Sequence, residues 1–165
     1  MKKLFFTLLL LPFLMGCSLE NNDSEKNIAL VEKYIEAVEN LDYNTMTSLL
    51  DENYIGLGPS YSDSTGKGQA VANWKYNVDN LYKKIEYKRV QNATVQIKKG
   101  YNKGEWVSSW AELAITYKNN ETVVIWANTV YRVENNKIVK SLTFYNEADA
   151  LQQLGYVFIN SNDTN

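Results

Sequence analysis

The sequence predicts a single α+β domain in which helices come first and a meander of long antiparallel strands follows, with the helices on one face of the sheet. Two periodicities and the boundary between them carry this expectation. Apolar residues recur at spacings of three and four up to Ile85. From Glu86 onward, four segments rich in β-branched and aromatic residues are parted by short stretches containing Asn, Gly and Lys.

The elements follow in chain order. Lys2 and Lys3 precede an apolar stretch from Leu4 to Met15. That stretch is shorter than the about 20 apolar residues a membrane-spanning helix needs, so residues 1 to 16 read as a signal peptide. It ends in Leu14-Met15-Gly16-Cys17, which holds the only cysteine. This ending resembles the lipobox of bacterial lipoproteins. The resemblance implies cleavage before Cys17, a diacylglyceryl group on its sulfur, and attachment to a membrane of the bacterial envelope on its extracytoplasmic side. Two acyl chains hold a protein on a bilayer where one does not. Residues 17 to 26, polar and acidic, read as the lipidated cysteine and a flexible tether. The folded domain is expected over residues 27 to 158, with a disordered tail over residues 159 to 165.

Ile28, Val31, Tyr34, Ile35, Val38 and Leu41 lie on one broad face of a first helix. Asp42 can cap a short second helix carrying Met46, Leu49 and Leu50, before "NYIGLGP" turns extended. A third helix is expected after Ser64 or Thr65 as cap, with Val71, Trp74, Val78, Leu81 and Ile85 as its stripe. The strands are "EYKRVQNATVQIK", "EWVSSWAELAITY", "TVVIWANTVYRVE" and "KIVKSLTFY". Asn146 can cap a last short helix that Gly155 ends.

Composition narrows the chemistry. Removal of the first 16 residues leaves about 150, a one-domain length with room for a proper core. The formal net charge of the chain is -2, and losing Lys2 and Lys3 makes it more negative, so nucleic acid is not an expected partner. The chain has no histidine. Histidine acid-base chemistry and serine-histidine triads are excluded, and with Cys17 committed to lipid no thiolate site or disulfide remains. The carboxylates show no metal-loop spacing, so neither metal nor cofactor is expected.

The order of elements and the stretches "KYIEAVENLDYNTMTSLLDENY", "GKGQAVANW" and "VYRVENNKIVKSLTFYNEADALQQLG" resemble the nuclear-transport-factor-2-like superfamily, with its SnoaL-like and ketosteroid-isomerase-like branches. The resemblance implies a cystatin-like roll: a cone-shaped, curved antiparallel sheet wrapped around three N-terminal helices, open at one end to a small-molecule pocket. In the isomerase branch a tyrosine of the first helix donates to the oxyanion, and Tyr34 matches it. The general base of that branch falls at Gly58 here, and its second acidic donor at Thr129. Neither can replace a carboxylate, and a base must reach the proton it removes. That mechanism is therefore not expected.

A pocket remains. Alternation places Gly56 and Gly58 on one face of the first strand, where glycines mark a close approach by a ligand or by other backbone. By register with the family, Ser141, Thr143 and Tyr145 point into the same cavity, with Trp74 entering from the third helix. Core packing is the competing reading of Tyr34 and Trp74, since both lie on helical stripes. Asp63 in "YSDST" reads as a turn or capping residue, with a place at the cavity mouth as the alternative. On the opposite sheet face Trp110 and Trp126 want cover, which points to a homodimer, with shielding by side chains such as Arg132 as the alternative. Lysines around residues 83 to 103 read as guards of a solvated strand edge. The function expected is non-catalytic binding of a small apolar ligand by a membrane-anchored lipoprotein. An isomerase or cyclase using Tyr34, and a homodimeric interaction module, are the alternatives.

Overall fold

A computed structural model of the chain describes residues 21–160. The signal peptide, Cys17 and the end of the tail lie outside the described residues. The order is α1 (Asn21–Glu39), α2 (Tyr43–Leu49), β1 (Leu50–Leu57), β2 (Ser64–Gly66), α3 (Lys67–Asn80), β3 (Tyr82–Ile97), β4 (Gly104–Tyr117), β5 (Thr122–Glu134), β6 (Lys137–Tyr145) and α4 (Glu147–Gln153). One six-stranded sheet runs β2-β1-β6-β5-β4-β3. Strands β3 to β6 form the expected meander, and the sheet curves around helices contributed by the N-terminal half, so the architecture is α+β as the sequence predicts.

The sheet is mixed rather than wholly antiparallel, because β1 pairs with β6 in parallel. Parallel neighbours require a long crossover, and here α3 together with the whole meander supplies it. Local turn chemistry sets the remaining register. Asn135 and Asn136 both adopt positive φ (50° and 58°), the two-residue turn whose twist suits a hairpin between β5 and β6. On β3 the ladder slips between Lys88 and Gln91, where Arg89 takes φ 54°. Such a bulge bends a strand and sharpens its twist, which helps a long strand curl over a helix.

Helix α1 places Val31, Tyr34, Ile35, Ala37 and Val38 in the core, against Val107, Tyr131, Val133 and Ile138 of the sheet. Three of its polar side chains meet the sheet as well. Asn27 Nδ2 donates to Glu105 Oε1 (3.1 Å), Asn92 Nδ2 donates to Glu32 Oε1 (3.1 Å), and the Tyr87 backbone N–H donates to Glu39 Oε1 (2.7 Å). Asp42 caps α2 as expected, accepting from the Asn44 and Thr45 amides. Asn146 caps α4 by accepting from the Asp149 amide, and Gly155 follows that helix with φ 84°.

Three boundaries differ from those the sequence predicts. Helix α1 begins at Asn21, inside the segment read as tether. The polar run that suggested a tether suits the solvent side of a helix equally well, with Asp23 in the first turn and a Lys26–Asp23 ion pair at 3.5 Å. Ser64 and Thr65 form β2 instead of capping α3, whose N-cap is Gly66 without a side-chain hydrogen bond. Pairing of Ser64 with Leu57 and of Thr65 with Gly56 occupies that backbone in a ladder. Helix α3 also stops at Asn80, leaving Ile85 on β3 opposite Ile115 and Leu81 exposed. Cross-strand burial of Ile85 prevails over its place in a helical stripe.

Candidate functional site

Between α1, α3 and the concave face of the sheet lies a chamber of about 310 Å³, at the small end of the range typical of ligand pockets. Alternation along the strands delivers its walls. Ser109, Ala111, Leu113, Ile115 and Tyr117 of β4 face it, as do Ile125, Ala127, Thr129 and Tyr131 of β5 and Ser141, Thr143 and Tyr145 of β6. Tyr34 enters from α1, Tyr54 from β1, Trp74 from α3, and Tyr82 and Tyr87 from β3. A second, more open space of about 560 Å³ adjoins it and shares Tyr54, Trp74, Ser141 and Thr143 with it. This vestibule is otherwise walled by the β1–β2 hairpin and by Ala70, Asn73 and Asn77 of α3.

Of the residues singled out from sequence, Tyr34, Trp74, Thr129, Ser141, Thr143 and Tyr145 all line the chamber. Gly56 and Gly58 line the vestibule instead. A Cβ on Gly56 would lie 2.6 Å from the Tyr54 hydroxyl, and one on Gly58 would lie 2.8 Å from both Cβ and Oδ2 of Asp63. The close approach that the glycines signal is therefore made by two side chains of this protein. Asp63, read from sequence chiefly as a turn residue, has its carboxylate in the wall of the vestibule.

Five chamber tyrosines, Tyr54, Tyr82, Tyr87, Tyr117 and Tyr131, were not singled out from sequence. Tyr131 was accessible to strand alternation, since Thr129 and Tyr131 share a face opposite Trp126 and Asn128. Tyr54 likewise precedes Gly56 by one strand period. Tyr82 sits in the stretch that helical spacing assigned to α3. Tyr87 lies next to the bulge, where alternation breaks down.

The chamber is aromatic and uncharged. Tyr34 and Tyr131 meet edge to face at 5.8 Å between centroids, Trp74 and Tyr82 lie 6.0 Å apart, and Tyr82 and Tyr117 lie 5.9 Å apart. Its polar groups are hydroxyls and the Trp74 indole N–H. Tyr54 and Ser141 share a hydrogen bond of 2.7 Å, and Thr129 and Thr143 share one of 3.1 Å. Burial raises the pKa of Tyr34, Tyr87 and Tyr131 well above the ordinary tyrosine value; neighbouring phenols add to the rise for Tyr34 and Tyr131, and the Glu39 charge followed by Tyr82 does so for Tyr87. For Tyr34 the Trp74 indole opposes this through a hydrogen bond. Tyr82 is pushed up to about 12, again by burial first and then by Tyr117 and Tyr145. Tyr145, nearer the rim, is raised by burial and then chiefly by the Glu147 charge.

The opposite face of the sheet carries Trp110, Trp126 and Phe144 around a shallow groove, with exposures of 40%, 61% and 53%. The Arg132 guanidinium, the alternative cover for this face, pairs with Glu134 at 2.5 Å. Arg89 lies over the Trp126 ring instead, at 6.0 Å from its centroid and 3.6 Å from Glu112. The left-handed conformation at Arg89 belongs to the bulge, which sequence alternation did not show.

Comparison with solved structures places this architecture among nuclear-transport-factor-2-like folds. The chain is similar to an LEH-like epoxide hydrolase of Mycobacterium tuberculosis (16% identity, TM-score 0.62, covering 80% of this chain and 91% of that one). It is similar to a candidate polyketide cyclase of Xanthomonas campestris (15% identity, TM-score 0.66, 80% and 98%). A third similar structure is an NTF2-like protein of Burkholderia xenovorans (14% identity, TM-score 0.59, 79% and 96%). Identities this low establish the fold alone. No protein-family model matches the sequence, and no curated protein does.

The tyrosine environments are directly testable. In a spectrophotometric titration the chamber tyrosines Tyr34, Tyr82, Tyr87 and Tyr131 should stay protonated above the ordinary tyrosine value of about 10. A raised folded-state pKa contributes stability that is complete below the unfolded value and declines as pH rises toward the folded one. Stability should therefore fall steadily above about pH 10. Ionisation of all 12 tyrosines in a single step near pH 10 in the folded protein would contradict the buried chamber.

Proposed function

We propose that this protein is an extracytoplasmic lipoprotein whose domain holds a small, largely apolar ligand in the tyrosine-lined chamber without converting it. One observation carries the reading: a cavity of ligand size has aromatic walls and neutral hydroxyls but no carboxylate, lysine or histidine among its lining residues. General acid-base catalysis works best with a group that titrates near the operating pH. Burial moves the chamber phenols away from that range. Hydroxyls and an indole N–H on rigid walls suit orientation of a bound molecule.

An isomerase or cyclase built on Tyr34 would need a carboxylate beside it, and the carboxylate that lines the adjoining space, Asp63, belongs to the vestibule. Native mass spectrometry of the protein purified from its own host, followed by release of bound compounds, distinguishes the two readings. A co-purifying molecule should be lost on Trp74→Ala and weakened on Tyr34→Phe, and should be recovered unchanged after incubation with fresh protein. Turnover of that molecule would establish an enzyme instead.

The anchor is tested separately. Cells fed labelled palmitate should incorporate label into the wild-type protein and none into Cys17→Ala, with the variant leaving the membrane fraction. Equal labelling of both would remove the lipoprotein reading.

A second interaction is favoured by the exposed Trp110, Trp126 and Phe144. An apolar patch of this kind marks a contact surface, and its position on one sheet face suits a two-fold dimer with the chambers pointing away from the interface. Analytical ultracentrifugation should give a dimer for the wild type and a monomer for Trp126→Glu. A monomeric wild type would set the dimer aside.

A further inference from the structure

The charge pattern around the cavity narrows the ligand class, given that the chamber is a binding site as proposed above. Asp63 is the one charged side chain among the residues lining either the chamber or the vestibule. It packs on the Gly58 backbone, where a Cβ would collide with it, so its place depends on the glycine. Among the described residues, the carboxylates paired with lysine or arginine are those of Asp23, Glu52, Asp79, Glu86, Glu112 and Glu134, and Asp63 is not one of them. Lys67, the first residue of α3, is held elsewhere by Glu52 and the Leu50 carbonyl. A second carboxylate lies nearby: Glu147 accepts from Ser60 Oγ at 3.3 Å, and the negative charges of Glu147 and Asp63 both raise the pKa of Tyr145, which lines the chamber.

We infer that the site takes an organic cation, an ammonium group on a compact apolar body, with the body among the tyrosines and the ammonium at the junction of chamber and vestibule, beside Asp63 and Trp74. Aromatic faces carry negative charge density and attract a desolvated ammonium, and an unpaired carboxylate at the entrance adds to the attraction. The same carboxylate disfavours a carboxylate or phosphate ligand, although the hydroxyls alone would accept one. A neutral ligand would gain nothing from it.

Two probes of nearly identical shape test the charge: phenethyltrimethylammonium and its uncharged carbon isostere, 3,3-dimethylbutylbenzene. Binding of each to the full-length protein in detergent is measured by equilibrium dialysis against micelles without protein. A cation-π contact together with a partly exposed ion pair predicts about tenfold tighter binding of the cation. Asp63→Asn should remove most of that preference, with an unchanged circular dichroism spectrum and melting temperature showing that the variant is folded. Gly58→Ala, which pushes the Asp63 side chain from its seat, should do the same. Raising the salt concentration should narrow the difference in the wild type. Equal binding of the two probes, tighter binding of the isostere, or a preference that survives Asp63→Asn would overturn the cation assignment and leave the chamber as a binding site. Binding of neither probe would overturn the cation assignment and count against the chamber as well.

Discussion

The packing of one face of α1 against the concave side of the sheet is the constraint on which the rest of the structure depends. Val31, Ile35 and Val38 fill one end of the curved sheet together with Val107, Val133 and Ile138. Without that contact the long strands would have no apolar partner for their inner faces, and a sheet exposed on both sides has little reason to curve. The polar edges of the helix reinforce the same placement. Glu39 accepts from the Tyr87 amide immediately before the bulge, and Glu32 accepts from Asn92 immediately after it, so the helix grips β3 on both sides of its bend.

The chamber is a consequence of where that packing stops. Toward the other end of the sheet the small inward residues Ser109, Ala111, Ala127 and Ser141 leave space that tyrosines border without filling. Small residues on the strands and large rings around the perimeter produce a cavity with rigid aromatic walls, because each ring leans on another. The cost of burying phenol groups is met partly by their hydroxyl partners, as for Tyr54 with Ser141, and it is expressed in their raised pKa values. A site of this composition is electrically quiet inside and acidic at its entrance.

The two sides of the sheet therefore differ in kind. The concave side is committed to the helix and the chamber, whereas the convex side keeps Trp110, Trp126 and Phe144 at the surface, partly covered by Arg89. Both sides are written by the same strands through period-two alternation, so Thr129 and Tyr131 reach the chamber while Trp126 and Asn128 reach the groove.

The sequence by itself determined the four helices, the four-stranded meander and their order, and several of the inward and outward residues of β5 and β6, but not the short strand β2. These follow from local physics: apolar period, turn residues such as Asn135 and Asn136, and caps such as Asp42 and Asn146 act within a few positions of themselves. The bulge at Arg89 and the helix-to-strand change at Tyr82 escaped it, because each is decided by pairing with β4, about 20 residues away or more. The same holds for the two glycines of β1. Sequence showed that something approaches Gly56 and Gly58 closely. Only the tertiary structure decided that Tyr54 and Asp63 do so, since the pairing of β1 with β2 sets which side chain lies over which backbone.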